Sequence, residues 1–177
     1  MFDEWHEYFF MIGSSAAALI GLMFVVATLT AGRERPETER GKHLYTSPIV
    51  WHLGVVLLLS GCAIAPTVRP HFFGAMAGAA ALLGIGMCGR NAICIARTRI
   101  SGAENANFDM WWYGIVPDLV YVSLAVGALG ALMSAAWAAS IVAAALMALL
   151  LVSIHGEWDL VTFLAPRASA SSERPEK

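Results

Sequence analysis

Long apolar runs separated by basic segments constrain this chain more than any other feature. Of its eleven Lys and Arg residues, ten fall in three segments: Arg33, Arg35, Arg40 and Lys42; Arg90, Arg97 and Arg99; and Arg167, Arg174 and Lys177. Arg69 is the exception. Between these segments run stretches long enough to cross the roughly 30 Å of a bilayer's hydrocarbon as a helix of about 20 residues. Hydrophobic residues make up 58% of the chain and charged residues 14%, against about 25% charged in a soluble domain. A soluble fold of this size leaves so much surface exposed that it could not hide that apolar content. The expected solvent is lipid, and the expected fold is an all-α integral membrane protein.

The runs place five transmembrane helices at about 9–31, 48–68, 72–96, 112–133 and 138–155. Arg33 and Arg35 stop the first. Thr46 and Ser47 before Pro48 give the second a capping hydroxyl and a proline in its first turn. Pro66, Arg69 and Pro70 close it. From Leu119 to Ile154 there is neither charge nor proline. As one helix that stretch would be about 54 Å long, too long for one crossing. It is therefore split, with a turn expected near 134–140, where Trp137 can anchor at an interface, or alternatively at 127–130. Residues 1–166 form one domain, the segment 156–166 extends the last helix or lies on the membrane surface, and 167–177 is expected as a disordered tail.

Orientation follows from the positive charges. With the N-terminus outside, five crossings put ten Lys and Arg in the cytoplasm and leave only Arg69 outside. Four or six crossings would break the alternation. The C-terminus is then cytoplasmic. The acidic start MFDEWHEYFF lacks the basic region of a signal peptide, and neither end carries a lipidation motif. By size and helix content the chain resembles small multipass proteins of bacterial inner membranes, which implies an inner-membrane location.

Polar groups converge in the half of the bundle next to the cytoplasm. His52 lies one turn into the second helix, Arg90 and Asn91 near the end of the third, Asp118 about two turns into the fourth, and Tyr121 one turn beyond on the same face. A carboxylate within the bilayer costs about 2.5–3.5 kcal/mol on insertion scales, so it is paired, neutral or facing water. Asp118 is expected to pair with Arg90, with His52 alongside. The cluster reads either as the mouth of an ion or proton path or, with more weight, as structure: Arg90 reaching to the interface and Asp118 capping a helix that begins after Pro117. At the opposite end Glu4, His6, Glu7 and His71 could in principle approach a divalent metal. Their spacing matches no metal motif, so an acidic solvated end flanked by Trp5 and Tyr8 is expected, with no metal and no cofactor. His155 and Asp159 share a helix face. The three cysteines, Cys62, Cys88 and Cys94, lie in apolar runs and read as small buried hydrophobes.

Small residues recur at packing intervals. Gly13, Ala17 and Gly21 repeat every four in the first helix, and Gly74 and Gly78 form a GxxxG in the third. Such positions let helix backbones approach closely where no hydrophobic effect acts between them. The sequence holds no HExxH, GxSxG, P-loop or paired CxxC, so an enzyme is not expected. A net charge of −2 disfavours nucleic acid as a partner. The expectation is a small structural or accessory subunit of the membrane, self-associating or part of a membrane complex, with the lipid bilayer as its surroundings. The alternative is a channel or transporter for an ion, proton or small solute, with the polar cluster as its mouth. An intramembrane enzyme acting on lipid through Asp118 or His52 ranks last.

Overall fold

A computed structural model describes residues 2–30, 36–66, 68–99 and 111–172, with side chains from 2, 4–28, 48–66, 68–93, 111–112 and 114–159. The described residues form five α-helices and no strand. A 3-10 turn at Asp3–Trp5 leads into α1, His6–Thr30. α2 is Pro36–Ile64 and α3 is Pro70–Arg99. A π turn at Trp111–Ile115 runs directly into α4, Val116–Leu132, and α5 is Ala138–Ser172. Three stretches are long and apolar enough to cross a membrane: His6–Thr28, Pro70–Ile93 and Ala138–Asp159. Two shorter apolar stretches are Pro48–Ile64 and Val116–Leu132.

α2 and α5 extend furthest beyond the positions expected from sequence. α2 passes through Pro48 instead of starting there. A proline inside a helix removes one hydrogen bond, but membrane helices tolerate it where neighbouring helices re-satisfy the freed group. Pro48 is buried in this bundle. α5 runs through 156–166 and on to Ser172, so helix occupies the first part of the stretch expected as a disordered tail. Ala168 and Ala170, among the best helix formers, lie in that extension. Residues 173–177 fall outside the described residues.

The break between α4 and α5 falls at Met133–Trp137. Its hydrogen bonds explain why the chain turns there. Ala135 N–H donates to Gly130 O at 2.9 Å and Ser134 N–H donates to Ala131 O at 3.0 Å. These are the two bonds of a Schellman motif, which satisfies carbonyls that the helix end would otherwise orphan. The motif needs a left-handed residue, and Ser134 supplies it at φ 56°. Gly130, one turn earlier, leaves room for the Trp137 ring, which a Cβ there would approach to 2.6 Å.

Helices adjacent in sequence pack side by side: α1 on α2, α2 on α3, α3 on α4, and α4 on α5. α1 on α5 closes the ring, and α2 also packs against α5 through its middle. The α3–α4 contact is the most extensive. It is antiparallel, with Gly74 against Ala128 and Leu132 near one end, Gly84 against Tyr121 in the middle, and Gly114 against Ala92 near the other. Alanine is the commonest residue among the buried apolar side chains, whereas Phe10, Leu22, Phe24, Leu82, Leu83, Leu129 and Leu151 point outward. Small residues inside and large apolar residues outside is the arrangement expected when lipid solvates the exterior and helix contact depends on close approach.

Candidate functional site

The centre of the bundle holds one buried polar contact between helices that otherwise barely touch. His52 of α2 and Tyr121 of α4 are both buried. His52 Nδ1 and the Tyr121 hydroxyl oxygen lie 2.7 Å apart. The phenol donates to an unprotonated Nδ1, or the imidazole N–H donates to the phenol oxygen, according to the tautomer. The rings are tilted by 50° with centroids 5.4 Å apart.

Each neighbouring helix contributes to this placement. The Tyr121 ring lies flat on Gly84 of α3, where a Cβ would overlap it. Leu53 and Val56 of α2, Leu124 of α4, and Leu146 and Leu149 of α5 are buried core residues of the same bundle. The Trp51 indole N–H sits beside the Tyr121 hydroxyl without reaching hydrogen-bond geometry. The Cys88 thiol of α3 is fully buried and close enough to interact electrostatically with both Asp118 and Tyr121.

Asp118 lies one turn before Tyr121 and is half-buried. Its Oδ1 is enclosed, yet no hydrogen bond reaches it. Neither structural role expected for this residue is realised. Arg90 of α3 is exposed, and no ion pair joins it to Asp118 among the described residues. Nor does Asp118 cap a free helix start. Ile115, at the N-cap position, is itself helical at φ −70° and ψ −45°, because the π turn feeds straight into α4. Asn91, half-buried beside Arg90, makes no hydrogen bond to the cluster. The structure therefore brings together His52, Tyr121, Asp118 and Cys88, and leaves Arg90 at the surface. Sequence reasoning missed Cys88. The signal available was its position six residues before Cys94 and one helix turn after Gly84, which puts Cys88 and Gly84 on one face of α3.

Two further contacts tie the ends of the bundle. At one end Phe2 is buried with its ring 5.6 Å from Phe9 and 4.5 Å from Phe73, bridging α1 and α3. The Tyr8 hydroxyl donates to Ala143 O of α5 at 3.3 Å. At the other end His155 Nε2 lies 3.5 Å from Asp159 Oδ2, and the Trp112 ring stacks on His155 at 4.3 Å. Glu4, His6, Glu7 and His71 are exposed, and no group of three or more His, Cys, Asp or Glu among the described residues could hold a metal ion.

The glycines expected to mediate packing behave differently from one another. A Cβ on Gly74 would meet Ala128 O and Leu132 N at 2.9 Å, so α3 and α4 are in backbone contact there. A Cβ on Gly13 would lie 3.0 Å from Ser60 Cβ of α2. A Cβ on Gly78 would make only ordinary contact with Ala128 Cβ at 3.9 Å, and one on Gly21 would meet open space. The fold and the site thus define a helical bundle suited to lipid, with one polar cluster in its interior. No family model, characterised protein or solved structure matches the chain.

Proposed function

We propose that the chain is a five-span inner-membrane protein, N-terminus outside and C-terminus in the cytoplasm, that serves as a small structural or accessory subunit, self-associating or joined to a membrane complex. The spans are α1, α2 from Pro48, α3, α4 with its preceding π turn, and the first part of α5. Pro48–Ile64 and Val116–Leu132 are apolar and 17 residues long, at the short end of the range of about 17–25 residues that crosses a bilayer. The observation that carries the structural reading is the packing of α2 against α5 through the middle of the ring. Contact between helices across the ring favours a packed interior over a pore within one chain. Small residues exposed on the outside, among them Ala17, Gly21 and Gly86, suit contact with another helix.

Cysteines introduced at Glu4 and Thr67 will react with a membrane-impermeant thiol reagent added to intact cells, and those at Glu37, Ala103 and Ser171 will not. Reaction at Ala103 from outside would remove the five-span reading. Purified in detergent, the protein will run at a multiple of its 18.9 kDa chain mass or together with a partner. A lone monomer would count against the subunit role.

A second reading is favoured by the His52, Tyr121, Asp118 and Cys88 cluster: a channel or transporter for an ion, proton or small solute, with that cluster as its mouth. Under this reading Asp118→Asn changes proton or cation flux in liposomes while leaving the bundle folded.

A further inference from the structure

The outward side of α3 is apolar along its length until one cation interrupts it. Phe72, Ala75, Ala79, Leu82, Gly86 and Arg90 are all exposed and recur every three or four residues, so they form one stripe along the helix. Ile93, also exposed, continues it. Arg90 lies three residues before the end of the membrane-length stretch Pro70–Ile93. At 1.5 Å per residue its Cα is about 4.5 Å inside that end. A guanidinium at such a depth extends along its apolar stem to the interface, or finds an anion, or does both.

The bundle offers it no anion. Among the described residues no carboxylate pairs with Arg90. Asp118 interacts with Cys88, two residues away and about 200° round α3, so it lies on the inner side of the helix. The surface beside the guanidinium is also notched. Gly86 is one turn before Arg90 on the same stripe, and nothing lies within 4 Å of the place its Cβ would take. The same holds for Gly89. Between Leu82 and Ile93 the helix surface therefore falls to the backbone.

We propose that Arg90 and the notch at Gly86 form a binding site for an anionic phospholipid. The guanidinium donates two parallel N–H bonds to the phosphodiester, a geometry that its planar fork matches. One acyl chain lies over Gly86. Charge selects the occupant. A lipid with one net negative charge neutralises one unpaired cation, whereas a zwitterionic lipid brings its own ammonium to its phosphate. Another helix laid on this stripe would cover the guanidinium and would need to supply an anion of its own, while a phospholipid supplies the anion and the apolar chain together. The site rests on the reading of α3 as a membrane span and on nothing about transport or assembly.

The test is native mass spectrometry of the full chain in a neutral detergent, titrated with phosphatidylglycerol. The wild type will retain this lipid, and phosphatidylcholine more weakly. Arg90→Gln will lose about tenfold in affinity for phosphatidylglycerol, the size expected for a charge-assisted pair. Arg90→Lys, with the charge but not the fork, will recover only part of that. Gly86→Leu, which fills the notch and leaves the charge, will also weaken retention. Both positions face outward, so all three variants will keep the wild-type unfolding midpoint, which shows that they are folded. Inorganic phosphate will not displace the lipid. Equal retention by wild type and Arg90→Gln overturns the site, as does displacement by inorganic phosphate, which would assign Arg90 to a free anion. Gly86→Leu that retains lipid but loses self-association would give the notch to a second copy and overturn the acyl-chain contact. Thiol labelling of intact cells reports separately on the spans: if it fails, the membrane reading fails, whatever the lipid titration gives.

Discussion

Tyr121 shows how a single residue holds this interior together. Its hydroxyl reaches His52, its ring rests on Gly84, and its neighbours Cys88 and Asp118 are the other polar groups of the cluster. Hydrogen bonds between membrane helices average about 0.6 kcal/mol and reach about 1.7 kcal/mol, so Tyr121→Phe will cost that order plus whatever the stranded His52 nitrogen adds. Gly84→Ala will cost more, about 1–3 kcal/mol, because a Cβ must displace a buried ring. Gly86→Ala, two residues away where nothing lies within 4 Å, will be neutral or slightly stabilising. Thermal unfolding in detergent checks all three, and equal midpoints for Gly84→Ala and Gly86→Ala would contradict the ring–backbone contact. His52, Asp118 and Tyr121 were legible from sequence; Cys88 and the partners of all four were not. His52, Asp118 and Tyr121 stand out because polar groups are rare in apolar helices. Arg90 stands out for the same reason and turns outward instead. In water an amphipathic face would have fixed the rotation of α3, but a helix surrounded by lipid and other helices is apolar all round, so its rotation leaves little trace in the sequence.

At the scale of the helices, the same ambiguity governs the small residues. Gly13, Gly21, Gly74 and Gly78 carry equivalent sequence signals. Yet Gly74 lies in backbone contact with α4, Gly13 touches Ser60, Gly78 has room, and Gly21 faces outward. Spacing alone reports that a close approach is possible, without naming the partner. Gly74→Ala will therefore destabilise the bundle by about 1–3 kcal/mol, since the clash is with the Ala128 and Leu132 backbone, which cannot rotate away. Gly78→Ala will be tolerated, and Gly78→Leu will push α4 away. Gly21→Ala will leave the unfolding midpoint unchanged but will reduce assembly if α1 is the face that meets another subunit. A midpoint for Gly74→Ala equal to that of Gly21→Ala would show that α3 and α4 are not in backbone contact. Element boundaries were easier to foresee where chemistry is explicit. The α4–α5 break was expected near 134–140 from the length of the apolar stretch, and it falls at Met133–Trp137, where Ser134 takes the left-handed conformation. The start of α2 was harder to place, because a proline reads the same at a first turn as at a tolerated interior position.

For the molecule as a whole, the strongest information lies outside the packed core, in the loops' charges. Nothing in the contacts among α1 to α5 distinguishes one side of a membrane from the other, so the proposed orientation stands on the Lys and Arg distribution. Those charges act during insertion, when basic loops resist transfer and the first helix usually dominates. The segment between the first two proposed spans, with Arg33, Arg35, Arg40 and Lys42, holds four of the eleven and should be the main determinant. Replacing these four by Gln will leave the end of α3, with Arg97 and Arg99, as the main retaining signal, and the population will split between two orientations. A C-terminal fluorescent reporter that matures only in the cytoplasm, paired with a C-terminal phosphatase active only outside, measures the split. Wild-type chains will give fluorescence and no phosphatase activity. The four-Gln chains will give both. Restoring Arg33 and Arg35 alone, nearest the end of α1, will recover most of the fluorescence, because basic residues close to a span weigh most. Four-Gln chains that stay wholly in the wild-type orientation would show that this segment does not set the topology, and would move that role to the basic residues at the end of α3 and in the C-terminal segment.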